Sequence, residues 1–168
     1  MQQTVLKYGL YGLLTGIVFF LGAILLGREL SYSTQEILGY VSMVASLSFI
    51  FFGIKHYRDK VNNGAVSLRK AIVIGVLISI LVGIGVGIAD YIYTTVINPN
   101  FATEYLETTL KTMEATMTPE EFKNKKVELT KQMQAYGGSG FMAFLMFFTV
   151  VLIGFVLSLI SGLILQLK

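Results

Sequence analysis

The sequence predicts an all-α polytopic membrane protein with four transmembrane helices and an extramembrane helical hairpin between helices 3 and 4. Composition supports this class, because 54% of the 168 residues are hydrophobic and only 14% are charged, against about 25% in typical soluble domains. The pattern supports it too, since four apolar runs each reach the roughly 20 residues that cross a bilayer core. One membrane domain over residues 1–168 is therefore expected, with the lipid bilayer as its surroundings.

The first two predicted helices cover residues 5–27 and 35–54. The first has one charge near its start, Lys7, and its apolar run continues without the small-residue cleavage site of a signal peptide. We therefore expect it to be retained rather than removed. The second contains serines but no charge after Glu36, and serine is tolerated in a membrane helix because its hydroxyl can bond a carbonyl one turn earlier.

The third and fourth predicted helices cover residues 71–97 and 141–167. The third is rich in Ile, Val and Gly, and it carries one ionisable side chain in its apolar stretch, Asp90. Asn98-Pro99-Asn100 then breaks the helical pattern, since the residue before proline disfavours the helical conformation. The fourth predicted helix is uncharged over its whole length.

Residues 98–140 differ in character from the rest, because they contain six acidic residues and five lysines. Thr118-Pro119-Glu120-Glu121 has the pattern of a capping box with proline at the first helical position. The segment is therefore predicted to be an extracytoplasmic helical hairpin. Its apolar residues are expected to form a shared core, or to rest on the membrane or on another protein. They are Phe101, Tyr105, Leu106, Leu110, Met113 and Met117 in the first helix, and Phe122, Leu129, Met133 and Tyr136 in the second.

The distribution of positive residues predicts the orientation, because Lys and Arg in short connections favour the cytoplasmic side. The connection over residues 55–70 has five of them, against one in the turn over residues 28–34. Lys7 and Lys168 fall on the same side as the first of these connections. The sequence thus predicts a protein of the bacterial inner membrane with cytoplasmic N- and C-termini and a periplasmic hairpin.

Small residues four positions apart predict helix packing, because lipid provides no hydrophobic force between helices and close backbone approach must hold them together. The alternatives are contacts between helices of one chain, contacts of an oligomer, and a coincidence of composition. The candidate packing residues are Gly12, Gly16, Gly83, Gly87, Gly154, Ser158 and Gly162.

Asp90 is the first candidate for a functional side chain, because a carboxylate inside the hydrocarbon is costly and is by default a functional hypothesis. One interpretation is an ion or proton site in which Asp90 is paired with Arg28 at the same membrane face. The other is an interfacial carboxylate bonded to a tyrosine hydroxyl or to water. The second interpretation rests on its depth, about 10 Å below the outer surface at roughly 1.5 Å per residue.

A basic cluster follows the second predicted helix. It can attract anionic lipid headgroups, at about 1 kcal/mol for each Lys or Arg near the surface, or it can dock a partner that bears phosphate. The alternative is that these charges only set the topology. The cluster consists of Lys55, Arg58, Lys60, Arg69 and Lys70.

No pattern in the sequence indicates enzyme, metal or nucleotide chemistry. The chain has no cysteine and one histidine, His56, which excludes a thiolate site and a multi-histidine metal site within one chain. Gly137-Gly138-Ser139-Gly140 lacks the spaced lysine and the preceding strand of a phosphate-binding loop. We therefore expect no catalytic residue, no metal, no cofactor and no nucleic-acid binding.

Several local patterns occur together along the chain: Ile54-Lys55-His56-Tyr57-Arg58 at the end of helix 2, Asn63-Gly64 and Ser67 before helix 3, then Asp90-Tyr91-Ile92-Tyr93 and Asn98-Pro99 before the charged segment. In this combination the chain resembles the family called domain of unknown function 4199, over nearly its whole length. The resemblance implies a small four-helix inner-membrane protein of Bacteroidota. It implies no activity and no site residues.

Three functions remain open on the sequence alone. The first is a non-enzymatic scaffold or accessory subunit that binds a membrane-protein partner. The second is a small transporter or channel, as a homodimer, which would need a polar path near Asp90. The third is a lipid-binding or lipid-handling protein.

Overall fold

The computed structural model describes residues 1–26, 30 and 32–166 of the chain. Within this part every regular element is helical, and two π-helical turns, Tyr57–Val61 and Tyr93–Ile97, continue α3 and α4. The predicted all-α class is confirmed. The α-helices are α1 (Gln2–Leu26), α2 (Tyr32–Leu47), α3 (Phe49–His56), α4 (Leu68–Ile92), α5 (Phe101–Thr116), α6 (Pro119–Tyr136) and α7 (Ser139–Gln166).

Four helical segments are long and apolar enough to cross a membrane, as the sequence predicts. They are Gln2–Ala23, Ile37–Val61, Leu68–Ile97 and Ser139–Gln166. Because α2 and α3 lie in the same segment, the second span contains two helices. The chain is therefore a membrane protein with four candidate spans in the part that the structure describes.

The second span is irregular at its middle, where α2 gives way to α3 at Ser48. The Ser48 hydroxyl donates to the Ala45 carbonyl at 2.7 Å. The Phe51 N–H bonds the Ser48 carbonyl at 3.1 Å, three residues earlier. This spacing is that of a 3₁₀ turn, which is tighter than an α-helical turn. The span therefore changes its winding at one point without a proline.

The second span also continues past its predicted end at residue 54, as far as Val61. Tyr57, in this extension, is only 8% exposed, so burial of its ring favours continuation of the helix. Asn63 and Gly64 then have φ of 53° and 85°. Asparagine and glycine tolerate this left-handed conformation best, and the pair ends the span.

The chain divides into two compact units. The first consists of Met1–Ala89 and Leu145–Lys168 and contains most of the four spans. The second is Asp90–Phe144, which contains the end of the third span, α5, α6 and the start of α7.

The core of the first unit is built around α4. Ile74, Ile78, Val82 and Val86 succeed one another at four-residue spacing, which is one face of a helix, and all are at most 2% exposed. The large aliphatic side chains that are fully buried with them come from the second span and from α7. They are Leu47, Ile50, Ile54 and Val150.

The second unit contains the two helices predicted between spans 3 and 4. Two residues, Met117 and Thr118, join α5 to α6, and the two helices contact each other. No residue of either helix is buried, although a shared core was one expectation for the apolar stripes. Two helices of 16 and 18 residues form too small a body to enclose one.

Candidate functional site

The basic cluster lies at one end of the first unit. Arg58 Nη1 donates to the Leu165 carbonyl at 3.3 Å, in the last turn of α7. The His56 ring centroid lies 5.4 Å from that of Tyr8, near the start of α1. The end of the second span, the end of α7 and the start of α1 therefore meet at this end of the unit.

The first turn of α4 reaches the same end. A Cβ on Gly162 of α7 would lie 2.9 Å from Leu68 Cδ1 and 3.0 Å from Ala71 Cβ. Arg69 and Lys70 lie between these two residues in the sequence and are exposed. The α4 start therefore adds two cations to those of the second span, Lys55 and Lys60, which are exposed as well.

Arg58 differs from the other members of the basic cluster because two of its guanidinium nitrogens, Nε and Nη1, already have partners. Its Nε pairs with Asp59 Oδ1 at 2.6 Å, and its side chain is 18% exposed. The last carbonyls of a helix have no donor within that helix, so the Arg58 bond to Leu165 caps α7. Sequence reasoning missed this contact because 107 residues separate its two partners.

Asp90 is buried within the third span, with 6% of its surface exposed. Its Oδ2 has no hydrogen-bond partner in the part of the chain that the structure describes. The Thr94 hydroxyl, one turn later, donates to the Asp90 main-chain carbonyl at 3.0 Å. Arg28, the predicted partner of Asp90, lies outside the described residues. A carboxylate oxygen buried without a donor is costly, so Asp90 remains the polar group of this span with the clearest need of a ligand.

Metal chemistry at Asp90 would need further ligands. Among the described residues, no three His, Cys, Asp or Glu side chains come together as a metal ion requires. The two ion pairs found among those residues, Arg58 with Asp59 and Lys125 with Glu128, do not include Asp90.

Helices α4 and α7 approach each other at small residues. A Cβ on Gly75 would collide with the Ser158 side chain, and a Cβ on Gly154 would collide with that of Ser79. The contact is reciprocal, since each helix presents a glycine to a serine of the other. Interhelical contacts of small residues are the way in which membrane helices gain van der Waals packing.

The same seam continues toward the other end of the two helices. A Cβ on Gly83 would lie 2.9 Å from Phe147 Cδ2, and Gly87, one turn further along α4, is buried. Gly75, Gly83, Gly154 and Gly162 therefore follow the α4–α7 contact over most of its length.

Helix α1 packs through its own pair of glycines. A Cβ on Gly12 would lie 2.7 Å from Val82 Cγ2, and one on Gly16 would lie 3.1 Å from Val86 Cγ2. Both glycines also face Ser46 of α2, through its carbonyl oxygen and its hydroxyl. The candidate packing residues of α1 thus contact two other spans of the same chain.

Three buried serines of the first unit bond the carbonyl one turn earlier in their own helices, and the Ser42 hydroxyl also lies 3.4 Å from the Phe19 carbonyl oxygen of α1. Ser42 donates to the Leu38 carbonyl and Ser46 to that of Ser42, both at 2.7 Å, and Ser158 donates to the Gly154 carbonyl. Their hydroxyl protons are therefore used locally. The cleft beside two of them is too narrow for a water molecule. It is lined by Gly16, Phe20, Gly39, Ser42, Met43, Ser46 and Val86.

The second unit is held together where its helices begin and end. The Ser139 hydroxyl at the start of α7 donates to the Thr94 carbonyl at 3.3 Å. The Tyr93 ring packs edge-on against Phe101 at 5.5 Å, and Phe101 stacks on Tyr105 at 6.1 Å. These contacts hold the N-terminal ends of α5 and α7 against the end of the third span.

The apolar face of α5 and α6 is half-buried at best. Leu106, Leu110, Leu129 and Met133 are each partly exposed, and Tyr136, on the same face of α6, is 56% exposed. The pair of helices therefore presents an incomplete core rather than a closed one.

Comparison with protein families gave a match over residues 7–166 to a family described as protein of unknown function (DUF4199). Comparison with curated proteins and with solved structures gave no match.

Proposed function

Because the chain belongs to the family of unknown function DUF4199, which supplies no activity, we propose from its surfaces that it is a non-enzymatic scaffold or accessory subunit. In this proposal α5 and α6 bind a membrane-protein partner. The observation that carries the proposal is that neither helix contains a buried residue. A third element, supplied by the partner, would complete their apolar core.

The composition of this face suits a protein interface. Tyr136 and Met133 lie on it, and a second tyrosine, Tyr105, is exposed on α5. Aromatic residues and methionine are enriched in interfaces relative to the rest of protein surfaces. The rim is charged, since Glu120, Lys123 and their neighbours are exposed, and a polar rim around an apolar centre is the usual anatomy of such a surface.

The interior of the first unit supports a role without chemistry. The buried hydroxyls of Ser42, Ser46 and Ser158 donate to backbone carbonyls of their own helices, and glycines and aliphatic side chains fill contacts between spans. A catalytic site needs several polar groups that converge on one point.

The proposal includes a location and an orientation. We infer a bacterial inner membrane, with the basic end of the first unit in the cytoplasm and α5 and α6 in the periplasm. Support comes from the cations of that end, since Lys and Arg favour the cytoplasmic side. Helices α5 and α6 would then bind the partner in the periplasm.

A site-specific photocrosslink tests the partner. Tyr136 and Val127 are similarly exposed, at 56% and 52%. Nine residues of about 100° each put the two on opposite faces of α6. A photoreactive amino acid at position 136 is expected to give one heterologous adduct in native membranes, and the same group at position 127 is expected to give several-fold less of it. Equal labelling from both positions would contradict a specific interface.

A small transporter or channel, formed as a homodimer, is the second candidate. The observation in its favour is the Asp90 oxygen in the third span, which has no hydrogen-bond partner among the described residues. The same crosslink separates the two functions, because an adduct of two copies of this chain would favour the homodimer. A flux of ions into vesicles that is lost in Asp90→Asn would then identify Asp90 as part of the path.

A further inference from the structure

Five exposed cations gather at one end of the first unit. Lys7 lies near the start of α1, with its Nζ 5.8 Å from the Tyr8 ring centroid, and Tyr8 in turn packs against His56 of the second span. The other cations come from the second span and from the first turn of α4. We call this set the basic end, and it consists of Lys7, Lys55, Lys60, Arg69 and Lys70.

The charge of the basic end is not compensated by the described part of the same unit. Asp59 is the one acidic residue of the first unit whose side chain the structure describes. Its Oδ1 pairs with Arg58 Nε at 2.6 Å. The five lysines of α5 and α6, by contrast, share their helices with six glutamates. Both regions have five cations, but in α5 and α6 the glutamates offset the positive charge, whereas at the basic end no described acidic side chain is free to do so.

The positions of these cations are fixed by the packing around them. Arg58 ties the end of the second span to the last turn of α7, and Tyr57 beside it is buried. Leu68, which directly precedes Arg69 and Lys70, packs against Gly162 of α7. This packing sets the main-chain positions from which the exposed cations of the second span and of α4 project.

Exposed apolar side chains accompany the cations on the same helix faces. Lys55 lies three residues after the exposed Phe52, and Lys70 lies three residues before the exposed Val73. Residues three apart are neighbours on a helix surface. In each pair the apolar residue is the one further from the end of the span. A molecule that suits both has a negative group at the membrane surface and an acyl chain below it.

We propose that the basic end binds anionic phospholipids, with phosphate groups at its Lys and Arg side chains and acyl chains along the apolar residues one turn deeper. This inference does not depend on the proposed function. The apolar neighbours favour a lipid over a soluble phosphate, which would use the cations alone. Each cation near an anionic surface strengthens binding by about fivefold, so loss of four has a measurable effect.

The test compares two sets of four substitutions in the full-length chain. The first is Lys55→Gln, Lys60→Gln, Arg69→Gln and Lys70→Gln together. The matched control removes the same number of charges from α6, through Lys123→Gln, Lys125→Gln, Lys126→Gln and Lys131→Gln. Each protein is reconstituted in phosphatidylcholine vesicles, and the immobilised fraction of spin-labelled phosphatidylglycerol is compared with that of spin-labelled phosphatidylcholine. Unchanged circular dichroism shows that the variants are folded.

The wild-type chain is expected to prefer phosphatidylglycerol several-fold. The variant of the basic end should lose that preference, and the α6 control should keep it. Equal preference for the two lipids in the wild-type chain, or equal loss in both variants, would overturn the proposal. Displacement of the lipid by inorganic phosphate, but not by chloride of the same ionic strength, would identify a soluble-phosphate site and also overturn it.

Discussion

Gly154 illustrates how one missing side chain sets the distance between two spans. A Cβ at this position would collide with the Ser79 Cβ and lie 2.8 Å from its hydroxyl oxygen. The Ser79 Cβ is bonded directly to the α4 backbone, so it cannot move aside unless the helix moves. Gly22 of α1, by contrast, has no atom of another described part of the chain within 4 Å of the position of its Cβ. The two glycines therefore differ in packing, as the four-residue spacing of Gly154, Ser158 and Gly162 suggests.

We expect Gly154→Ala to destabilise the chain by about 1–3 kcal/mol, because inserting a methyl group into a close contact forces the backbones apart. Gly22→Ala is expected to change stability by less than about 0.5 kcal/mol, as substitutions away from such contacts do. Unfolding in mixed detergent micelles, followed by circular dichroism, measures both. A similar loss in the two variants would show that the α4–α7 seam does not require glycine.

Sequence predicts part of this residue-scale picture. Four-residue spacing of Gly154, Ser158 and Gly162 indicates a groove on a helix, but it does not identify the helix that fills the groove. The Arg58 bond to Leu165 has no local sequence signal at all, because its acceptor is a main-chain carbonyl of a distant segment. Asp90 stands out in the sequence by its charge alone, whereas its unpartnered oxygen depends on the packing around it.

At the scale of elements, the start of α6 follows directly from local sequence. The capping box predicted at Thr118 and Glu121 is present. The Thr118 hydroxyl and N–H both donate to Glu121 Oε2, at 2.7 and 3.1 Å. These bonds favour the ionised carboxylate and hold the pKa of Glu121 below its ordinary value.

The stability of the α6 start should therefore depend on pH. A carboxyl group whose pKa is lower in the folded state stabilises that state above the unfolded pKa, near 4.5. This contribution is lost as the pH falls through the folded pKa. We expect the amide protection factors of the first turn of α6 to fall on acidification through this range. Glu121→Gln should remove this dependence.

Glu120→Gln is the matched control, since it removes the same charge one residue earlier. It should leave the acid dependence of the α6 start in place. Loss of the dependence in both variants would assign the effect to net charge rather than to the hydrogen bonds of the capping box.

Elements whose ends are set by caps and turns were predicted closely, and those set by packing were not. In the structure the break at Asn98-Pro99 lies between the end of the third span and the start of α5, and Gly137-Gly138 lies between the end of α6 and the start of α7. The second span is longer than predicted because the burial of Tyr57, which depends on tertiary packing, outweighs the charges around it. The turn at Ser48 was missed because a serine that bonds its own backbone is common within regular membrane helices.

At the scale of the whole molecule, the distribution of charge predicts how the chain crosses the membrane. Because the third span lies between them in the sequence, we expect the α5–α6 segment and the connection before α4 to lie on opposite sides of the membrane. A reporter that works only in the cytoplasm is expected to be active when fused after residue 168. The same reporter inserted between Met117 and Thr118 is expected to be inactive.

Immunoblots for both fusions provide the control for expression. An inactive reporter after residue 168, in a fusion protein that is made in normal amount, would contradict the proposed orientation. The number of spans was predictable because length and hydrophobicity suffice to define each one. Their arrangement was not, because it depends on which small residues meet across the bundle.

The reciprocal contact between α4 and α7 has a consequence for biosynthesis. The ribosome completes α4 well before it reaches α7, and the whole charged segment with α5 and α6 is made in between. During that interval the α7 residues that Gly75 and Ser79 contact in the folded chain, Ser158 and Gly154, have not yet been made. Helix α4 must therefore stay in the membrane, or in contact with the insertion machinery, without its α7 contacts until α7 has been translated.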